Sequence, residues 1–319
     1  MNFTVLGTGS YLPPRVVTND ELSTFLDTSD EWISQRVGIR SRHVATTETA
    51  ADMALRAAEA ALENSGIAAG EIDLILTASI SGETVSPSVS CLVQRGLGVS
   101  CPAFDLSAAC SAFLFLLDTA DAFFARGGVN RILVIGAERM SRITDWTDRS
   151  TAVIFGDGAG AMVLERGGEG VYHPARLTVT GGGEVIHIPQ SHGNSPFWEG
   201  DDSKPYTFMD GQNTFKFAVN SICTDVKAVV DEAGLTLDDI DWIIPHQANI
   251  RILDFAARRL GVPMEKIATN IETTGNTSSA SIPIITDDLW RSGRLKRGQT
   301  VVLTAFGGGL ASAACVMKW

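Results

Sequence analysis

Glu71-Ile72-Asp73-Leu74-Ile75-Leu76 reads as a buried strand entered through a polar turn, and the pattern returns as Asp239-Ile240-Asp241-Trp242-Ile243-Ile244. The segments before them match as well: Ala60-Ala61-Leu62-Glu63-Asn64-Ser65-Gly66-Ile67 aligns with Ala228-Val229-Val230-Asp231-Glu232-Ala233-Gly234-Leu235. Both alignments have one offset, 168 residues (234 − 66 and 241 − 73). Further on, Arg131–Gly136 corresponds to Thr300–Phe306 within a residue or two. The chain therefore reads as a duplicated α/β unit, with a first half over 1–170 and a second over 171–319.

Outward from that repeat, strands alternate with helices, which predicts covered, mainly parallel sheets. The first half reads as strand Phe3–Leu6 entering a turn at Gly7, short helical pieces at Asp20–Phe25 and Ser29–Val37, a helix over Ala50–Asn64, and strand Ile72–Thr77. A helix near Ser88–Gly96, strand Cys101–Asp105, a helix from Cys110 to Arg126 and strand Arg131–Ala137 follow. Phe155-Gly156-Asp157-Gly158-Ala159-Gly160-Ala161 reads as a glycine-rich turn before a strand; it lacks the Lys-Ser/Thr of a phosphate loop. From Gly181 to Pro205, Gly, Pro, Ser and Asp break the pattern and predict a long surface loop over a site.

The 319 residues are 45% hydrophobic, enough for a substantial core. No apolar run approaches the ~18–20 residues of a membrane span. The N-terminus lacks the basic start and long apolar core of a secretory signal, and a cytoplasmic protein is expected. Five cysteines without a Cys-x-x-Cys or a Cys/His cluster argue against disulfides and zinc. The net charge of −12 argues against nucleic-acid binding.

Chemistry concentrates at predicted strand ends, where open α/β sheets place their sites. Cys110 stands in Asp105-Leu106-Ser107-Ala108-Ala109-Cys110-Ser111-Ala112, among small neighbours that leave room for a substrate. In the first turn of a helix its thiolate is favoured by the helix field. Of five histidines, only His246 directly follows a core strand, in Pro245-His246-Gln247-Ala248-Asn249. Asn276 lies in Gly275-Asn276-Thr277-Ser278, and Gly307-Gly308-Gly309 could offer bare backbone N–H groups as an oxyanion hole. Each also has a plain structural reading: a buried thiol, a hydrogen-bonded strand-end histidine, ordinary turns.

Taken together, these motifs resemble β-ketoacyl-acyl carrier protein synthase III of the thiolase-like superfamily, the initiating condensing enzymes of fatty acid synthesis. Thr28-Ser29-Asp30-Glu31-Trp32-Ile33, Arg36-Val37-Gly38-Ile39-Arg40 and Ala305-Phe306-Gly307-Gly308-Gly309 carry the resemblance too, which covers nearly the whole chain. It implies a duplicated thiolase-like fold layered α-β-α-β-α with two mixed, mainly parallel sheets. It also implies that acyl-CoA acylates Cys110, that N–H groups of Cys110 and Gly308 hold the oxyanion, and that His246 and Asn276 support decarboxylation of malonyl-acyl carrier protein, with no metal or organic cofactor. Trp32, Arg36, Arg149, Lys216 and Asn249 would contact CoA, and Arg251, Arg258 and Arg259 the carrier protein, on a homodimer. Ser86, Phe306 and Leu310 would shape the acyl pocket. Ser86 and Leu310 stand where aromatics are common in the family, and Gly193–Lys204 looks longer than usual, so a primer other than acetyl is expected to be possible. Two alternatives remain open at this point: a relative performing another acyl transfer in a specialised pathway, and a non-catalytic partner of a condensing heterodimer, which the intact Cys110, His246 and Asn276 argue against.

Overall fold

Helices begin where a short polar side chain can hold their first free N–H groups, and many end at a left-handed glycine. Ser29 accepts from Trp32 N, Thr49 forms a capping box with Asp52, and Asn249 accepts from Arg251 N. Gly38, Gly66, Gly98 and Gly261 terminate helices with φ between 68° and 82°. A computed structural model describes residues 2–190, 197 and 206–319. Its first half runs β1 (Phe3–Tyr11), β2 (Val16–Thr18), α1 (Asn19–Leu22), α2 (Asp30–Val37), β3 (Ser41–His43), α3 (Ala50–Ser65), β4 (Leu74–Ala78), α4 (Val89–Leu97), β5 (Ala103–Leu106), α5 (Ala112–Arg126), β6 (Arg131–Arg139), α6 (Arg149–Ala152) and β7 (Asp157–Arg166). The second runs β8 (Val171–Val179), β9 (Ile186–His187), β10 (Phe208–Met209), α7 (Gly211–Glu232), β11 (Trp242–Pro245), α8 (Ile250–Leu260), α9 (Ile271–Thr274), α10 (Ser281–Arg291), β12 (Thr300–Gly307) and β13 (Ala311–Lys318).

The two large sheets repeat one order. The first is β1-β7-β6-β4-β5 and the second, read the same way, β8-β13-β12-β11. Phe3 and Val171, which open equivalent edge strands, are again 168 residues apart (171 − 3). Where β5 pairs with β4 in the first sheet, the second keeps only an isolated parallel bridge between Ile243 and Ile267. Helices α3 and α4 cover the outer face of the first sheet, α5 and α10 lie between the sheets, and α7 with α8 covers the second. The layers are thus α-β-α-β-α. The middle layer is shared: α5 from the first half touches β12 and β13, and α10 from the second touches β1 and β7. Phe113, Leu114, Leu116, Leu117 and Phe124 of α5 are fully buried there, each worth about 1.5–3 kcal/mol of apolar transfer.

Four expectations need correction. The sheets are mixed rather than mainly parallel: β4 runs parallel to β5 and β6, and β11 to β12, while β1-β7, β6-β7, β12-β13 and β13-β8 are antiparallel. Alternation with helices misled because each half ends in strands joined without a crossover helix. Gly7 is no turn, since β1 continues to Tyr11; a Cβ at Gly9 would sit 2.3 Å from Ala61 N, so glycine here admits the backbone of α3. Likewise Gly158 and Gly160 belong to β7 itself, where a Cβ at Gly160 would meet Ile284 N of α10 at 2.7 Å. The loop expected over 181–205 contains the β9 strand, which pairs with β10 as a short ribbon; the length judged for Gly193–Lys204 lies, apart from 197, outside the described residues. No described helix is long and apolar enough to cross a membrane.

Candidate active site

Cys110, His246 and Asn276 line one cavity of about 650 Å³, opening between the two halves. Cys110 lies in a single 3-10 turn, Ala109–Ser111, after β5, and Ala109 before it takes φ +49°, a left-handed conformation that L-residues rarely adopt. The thiol therefore sits ahead of α5 instead of inside its first turn. Burial pushes the thiol up to about 12, with Ser278 lowering it and the charge of Glu138 raising it. A resting thiolate, expected from the sequence, is not favoured.

His246 follows β11 and is buried against the edge of Phe306, with ring centroids 5.4 Å apart. Burial alone lowers its pKa to about 3, so the imidazole is neutral at working pH. Its Nδ1 lies 2.7 Å from Ser281 Oγ, and that oxygen accepts from Gln247 N at 3.4 Å. A Ser281 hydroxyl donating to Nδ1 leaves the ring proton on Nε2, available to a ligand. Asn276 is oriented similarly. Its Oδ1 accepts from Ser278 N at 2.8 Å, leaving Nδ2 as the outward donor, while its backbone exchanges hydrogen bonds with Ile154 O and Gly156 N across the halves.

The oxyanion loop comes close. Gly307, the last residue of β12, is pressed on the nucleophile so tightly that a Cβ would lie 2.7 Å from Cys110 N. Gly308 follows in the turn to β13, and Gly307, not Gly308, lines the cavity. Phe306 lines it as expected. Leu310 does not; it is buried and stands over Gly182, where a Cβ would meet it at 3.0 Å. Ser86 is also absent from this cavity, on an exposed loop beside Val85, which is 91% exposed.

Toward the mouth, Trp32, Arg36, Lys216, Asn249 and Arg251 line the same cavity. Three cations at one opening form a basic mouth on an acidic protein. Arg149 lies outside the lining, with its guanidinium 5.2 Å from the Trp32 ring centroid and bonded to Asp27 O at 2.6 Å. Asn249 caps α8 and donates to Arg36 O at 3.2 Å, tying the halves together at the mouth. Of the arginines on α8 only Arg251 reaches the cavity: Arg258 is paired with Asp254 at 2.7 Å, and Arg259 turns to Asn220 of α7. Among the described residues no group of His, Cys, Asp and Glu could hold a metal ion.

Sequence profiles described as 3-oxoacyl-[acyl-carrier-protein (ACP)] synthase III and its C-terminal part match residues 104–178 and 230–319. The chain is 44% identical to the β-ketoacyl-[acyl-carrier-protein] synthase III of Clostridium acetobutylicum, over 99% of this chain and 98% of that protein. The chain belongs to the β-ketoacyl-acyl carrier protein synthase III family. The synthase III of Methylococcus capsulatus is 46% identical over 99% and 98% of the two chains. In three dimensions the 3-oxoacyl-[acyl-carrier-protein] synthase III from Aquifex aeolicus VF5 superposes with a TM-score of 0.93 at 41% identity, covering 99% of this chain and all of that one. The priming β-ketosynthase of the R1128 polyketide biosynthetic pathway does so with a TM-score of 0.93 at 37% identity, covering 99% and 96%.

Three residues beside the site were missed from the sequence: Ser278, Ser281 and Glu138. The serines sit in a run of small polar residues, Thr277-Ser278-Ser279-Ala280-Ser281, where nothing distinguishes one hydroxyl from the next. Glu138 did carry a signal, an acid continuing the apolar run of β6 into a buried strand end.

Proposed function

We propose that the chain initiates fatty acid synthesis as a β-ketoacyl-acyl carrier protein synthase. Cys110 attacks the thioester of an acyl-CoA, CoA leaves, and the acyl group stays on sulfur. The N–H groups of Cys110 and Gly308 hold the tetrahedral oxyanion. Malonyl-acyl carrier protein follows, and its thioester oxygen accepts from His246 Nε2 and Asn276 Nδ2. These donors stabilise the enolate formed as carbon dioxide departs, and the carbanion attacks the acyl-enzyme to give 3-oxoacyl-acyl carrier protein. Two neutral donors suit this step, because a cationic imidazole would also hold the malonyl carboxylate and oppose its loss.

At the mouth, Trp32 and Arg149 take the adenine of CoA between them, with Arg36, Lys216 and Asn249 along its phosphates and pantetheine. Because Arg149 stands over Trp32 at 5.2 Å, it swings aside from Asp27 to admit the ring. Arg251 steers the acidic carrier protein. Phe306 borders the acyl group, while Ser86 and Leu310 act on primer choice only from outside this cavity, Ser86 by serving the neighbouring subunit of a homodimer. The enzyme works in the cytoplasm without metal or organic cofactor.

One observation carries this reading: a thiol, a neutral imidazole and an oriented amide, drawn from the segments after β5, β11 and α9, share one cavity. A specialised pathway is the weaker reading, since relatives of higher identity over the same length bear the synthase III name. The test is intact mass after incubation with a panel of acyl-CoAs, straight and branched. A gain of one acyl group, absent in Cys110→Ala, and its conversion to 3-oxoacyl product with malonyl-acyl carrier protein are expected. No mass gain from any acyl-CoA would overturn the proposal.

A further inference from the structure

The amide of Asn276 can serve the enolate only while it faces the cavity, and one hydrogen bond sets that direction: Ser278 N donates to Asn276 Oδ1 at 2.8 Å. Ser278 makes it from a left-handed backbone, φ +49°, which a residue other than glycine leaves unless something holds it. The holder stands on the other half of the chain. Glu138, at the end of β6, is 0% exposed, and its Oε1 lies 3.2 Å from Ser278 Oγ and 2.7 Å from Ser279 Oγ. Its Oε2 accepts from Ile80 N at 3.1 Å and from Ser81 Oγ, which itself accepts from Arg139 N at 2.8 Å. The carboxyl is thus fixed by four uncharged groups. Strand β6 also presses on the same turn: a Cβ at Gly136 would meet Ser279 O at 2.6 Å.

We infer that Glu138 is a positioning residue for Asn276: by holding the Ser278 and Ser279 hydroxyls it keeps Ser278 left-handed, its N–H on Asn276 Oδ1, and Asn276 Nδ2 turned to the substrate thioester. This deepens the proposed condensing reading and rests on it. The role suits a neutral carboxylic acid, as a count of hydroxyl protons shows. Ser279 Oγ has one proton and two neighbours, Glu138 Oε1 and, at 3.1 Å, Ala78 O, which can only accept. With that proton on Ala78 O, the 2.7 Å contact is closed by a carboxylic acid proton on Oε1, and every member of the cluster has a partner. Burial, which raises the affinity of Glu138 for protons, favours the same form. A neutral acid also spares the Cys110 thiol the repulsion that a carboxylate charge would add.

A clamp on Asn276 and a mere fold staple differ in what can replace them. Glutamine at 138 has the same shape: its oxygen can take Ile80 N and Ser81 Oγ, and its NH2 can reach both serine oxygens. Leucine fills the space but holds neither hydroxyl. At 278, glycine adopts a left-handed backbone unaided, whereas alanine keeps the strain and loses the anchor. Ser278→Gly should therefore outperform Ser278→Ala, and it should restore function to Glu138→Leu.

The experiment is release of carbon dioxide from malonyl-acyl carrier protein by the full chain, beside the rate of Cys110 acylation read by intact mass with an acyl-CoA that the wild type accepts. In Glu138→Leu and Ser278→Ala, kcat for carbon dioxide release should fall about tenfold or more with KM within about twofold, because the amide acts on the enolate more than on binding. Acylation should stay within about threefold of the wild type. Glu138→Gln and Ser278→Gly should keep at least about a third of the wild-type kcat, and Glu138→Leu combined with Ser278→Gly should regain most of the loss. Equal losses in both half-reactions, a Ser278→Gly as slow as Ser278→Ala, or a Glu138→Gln as slow as Glu138→Leu overturns the assignment. Thermal melting checks that each variant is folded, and the two Ser278 variants carry the test if Glu138→Leu is not. A wild type that releases no carbon dioxide defeats the condensing reading and this inference with it, whereas wild-type release with unaffected variants defeats this inference alone.

Discussion

Ser281 Oγ, on the first residue of α10, lies 2.7 Å from His246 Nδ1, at the end of β11. With the hydroxyl donating, the contact holds the tautomer in which Nε2 of the neutral ring has a proton to give. Ser281→Ala frees the ring to adopt the other tautomer without touching Cys110. Decarboxylation of malonyl-acyl carrier protein should slow by roughly tenfold to a hundredfold, while acylation of Cys110 changes little. Measuring the two half-reactions separately checks this; equal losses in both would show that Ser281 only supports the fold.

Gly307→Ala brings a methyl to within 2.7 Å of Cys110 N, a backbone atom that cannot step aside as a flexible side chain would. The strand or the nucleophile turn must shift, at about 1–3 kcal/mol. Acyl-enzyme formation is expected to drop at least about a hundredfold, since the displaced N–H groups are those aimed at the oxyanion. Intact mass after acyl-CoA treatment reads the loss, and urea denaturation reads the stability change.

Carrier-protein use should depend on Arg251 and hardly on Arg258. Arg251→Glu inverts a charge in the cavity mouth, whereas Arg258 is exposed and already paired with Asp254. The expected rise in KM for malonyl-acyl carrier protein is about tenfold or more for Arg251→Glu and under about twofold for Arg258→Glu, with acylation by small thioesters less affected. Similar effects from both would place the docking face along the whole helix.

Acid should weaken the fold through His246. Its native pKa, about 3, lies below that of an unfolded histidine, so between these values the unfolded chain binds a proton that the native chain refuses. Stability from this group is therefore lost as pH falls below about 6.5, by up to about 1.4 kcal/mol per unit. Between about pH 6.5 and pH 5, His246→Asn should lose roughly 1.5 kcal/mol less than the wild type in urea denaturation.

Much of this architecture was legible because duplication writes it twice. The 168-residue offset read from Gly66 and Gly234 reappears between the edge strands at Phe3 and Val171, and strand-end positions of Cys110 and His246 followed from it. Strand direction was less legible, since a hairpin such as β12-β13 leaves no helix to mark it. Glycines were misread where they serve packing: Gly7 and Gly160 look like turn residues in one dimension and are contact surfaces for α3 and α10 in three. The ionisation of Cys110 was misjudged for a related reason, because burial depends on neighbours such as Ser278, 168 residues away (278 − 110). Exposed residues were hardest to place, as Arg259 and Ser86 show.

The shared middle layer has a consequence for how the protein is made. In its sheet β8 pairs only with β13, and β1 in the other sheet only with β7, so each edge strand leaves the ribosome long before its partner exists. Helix α5 likewise emerges with an apolar face meant partly for β12 and β13. Synthesis must then proceed with sticky surfaces awaiting sequence still to be translated, which makes a slow, late closure of the fold and a need for chaperone shelter the natural companions of this design.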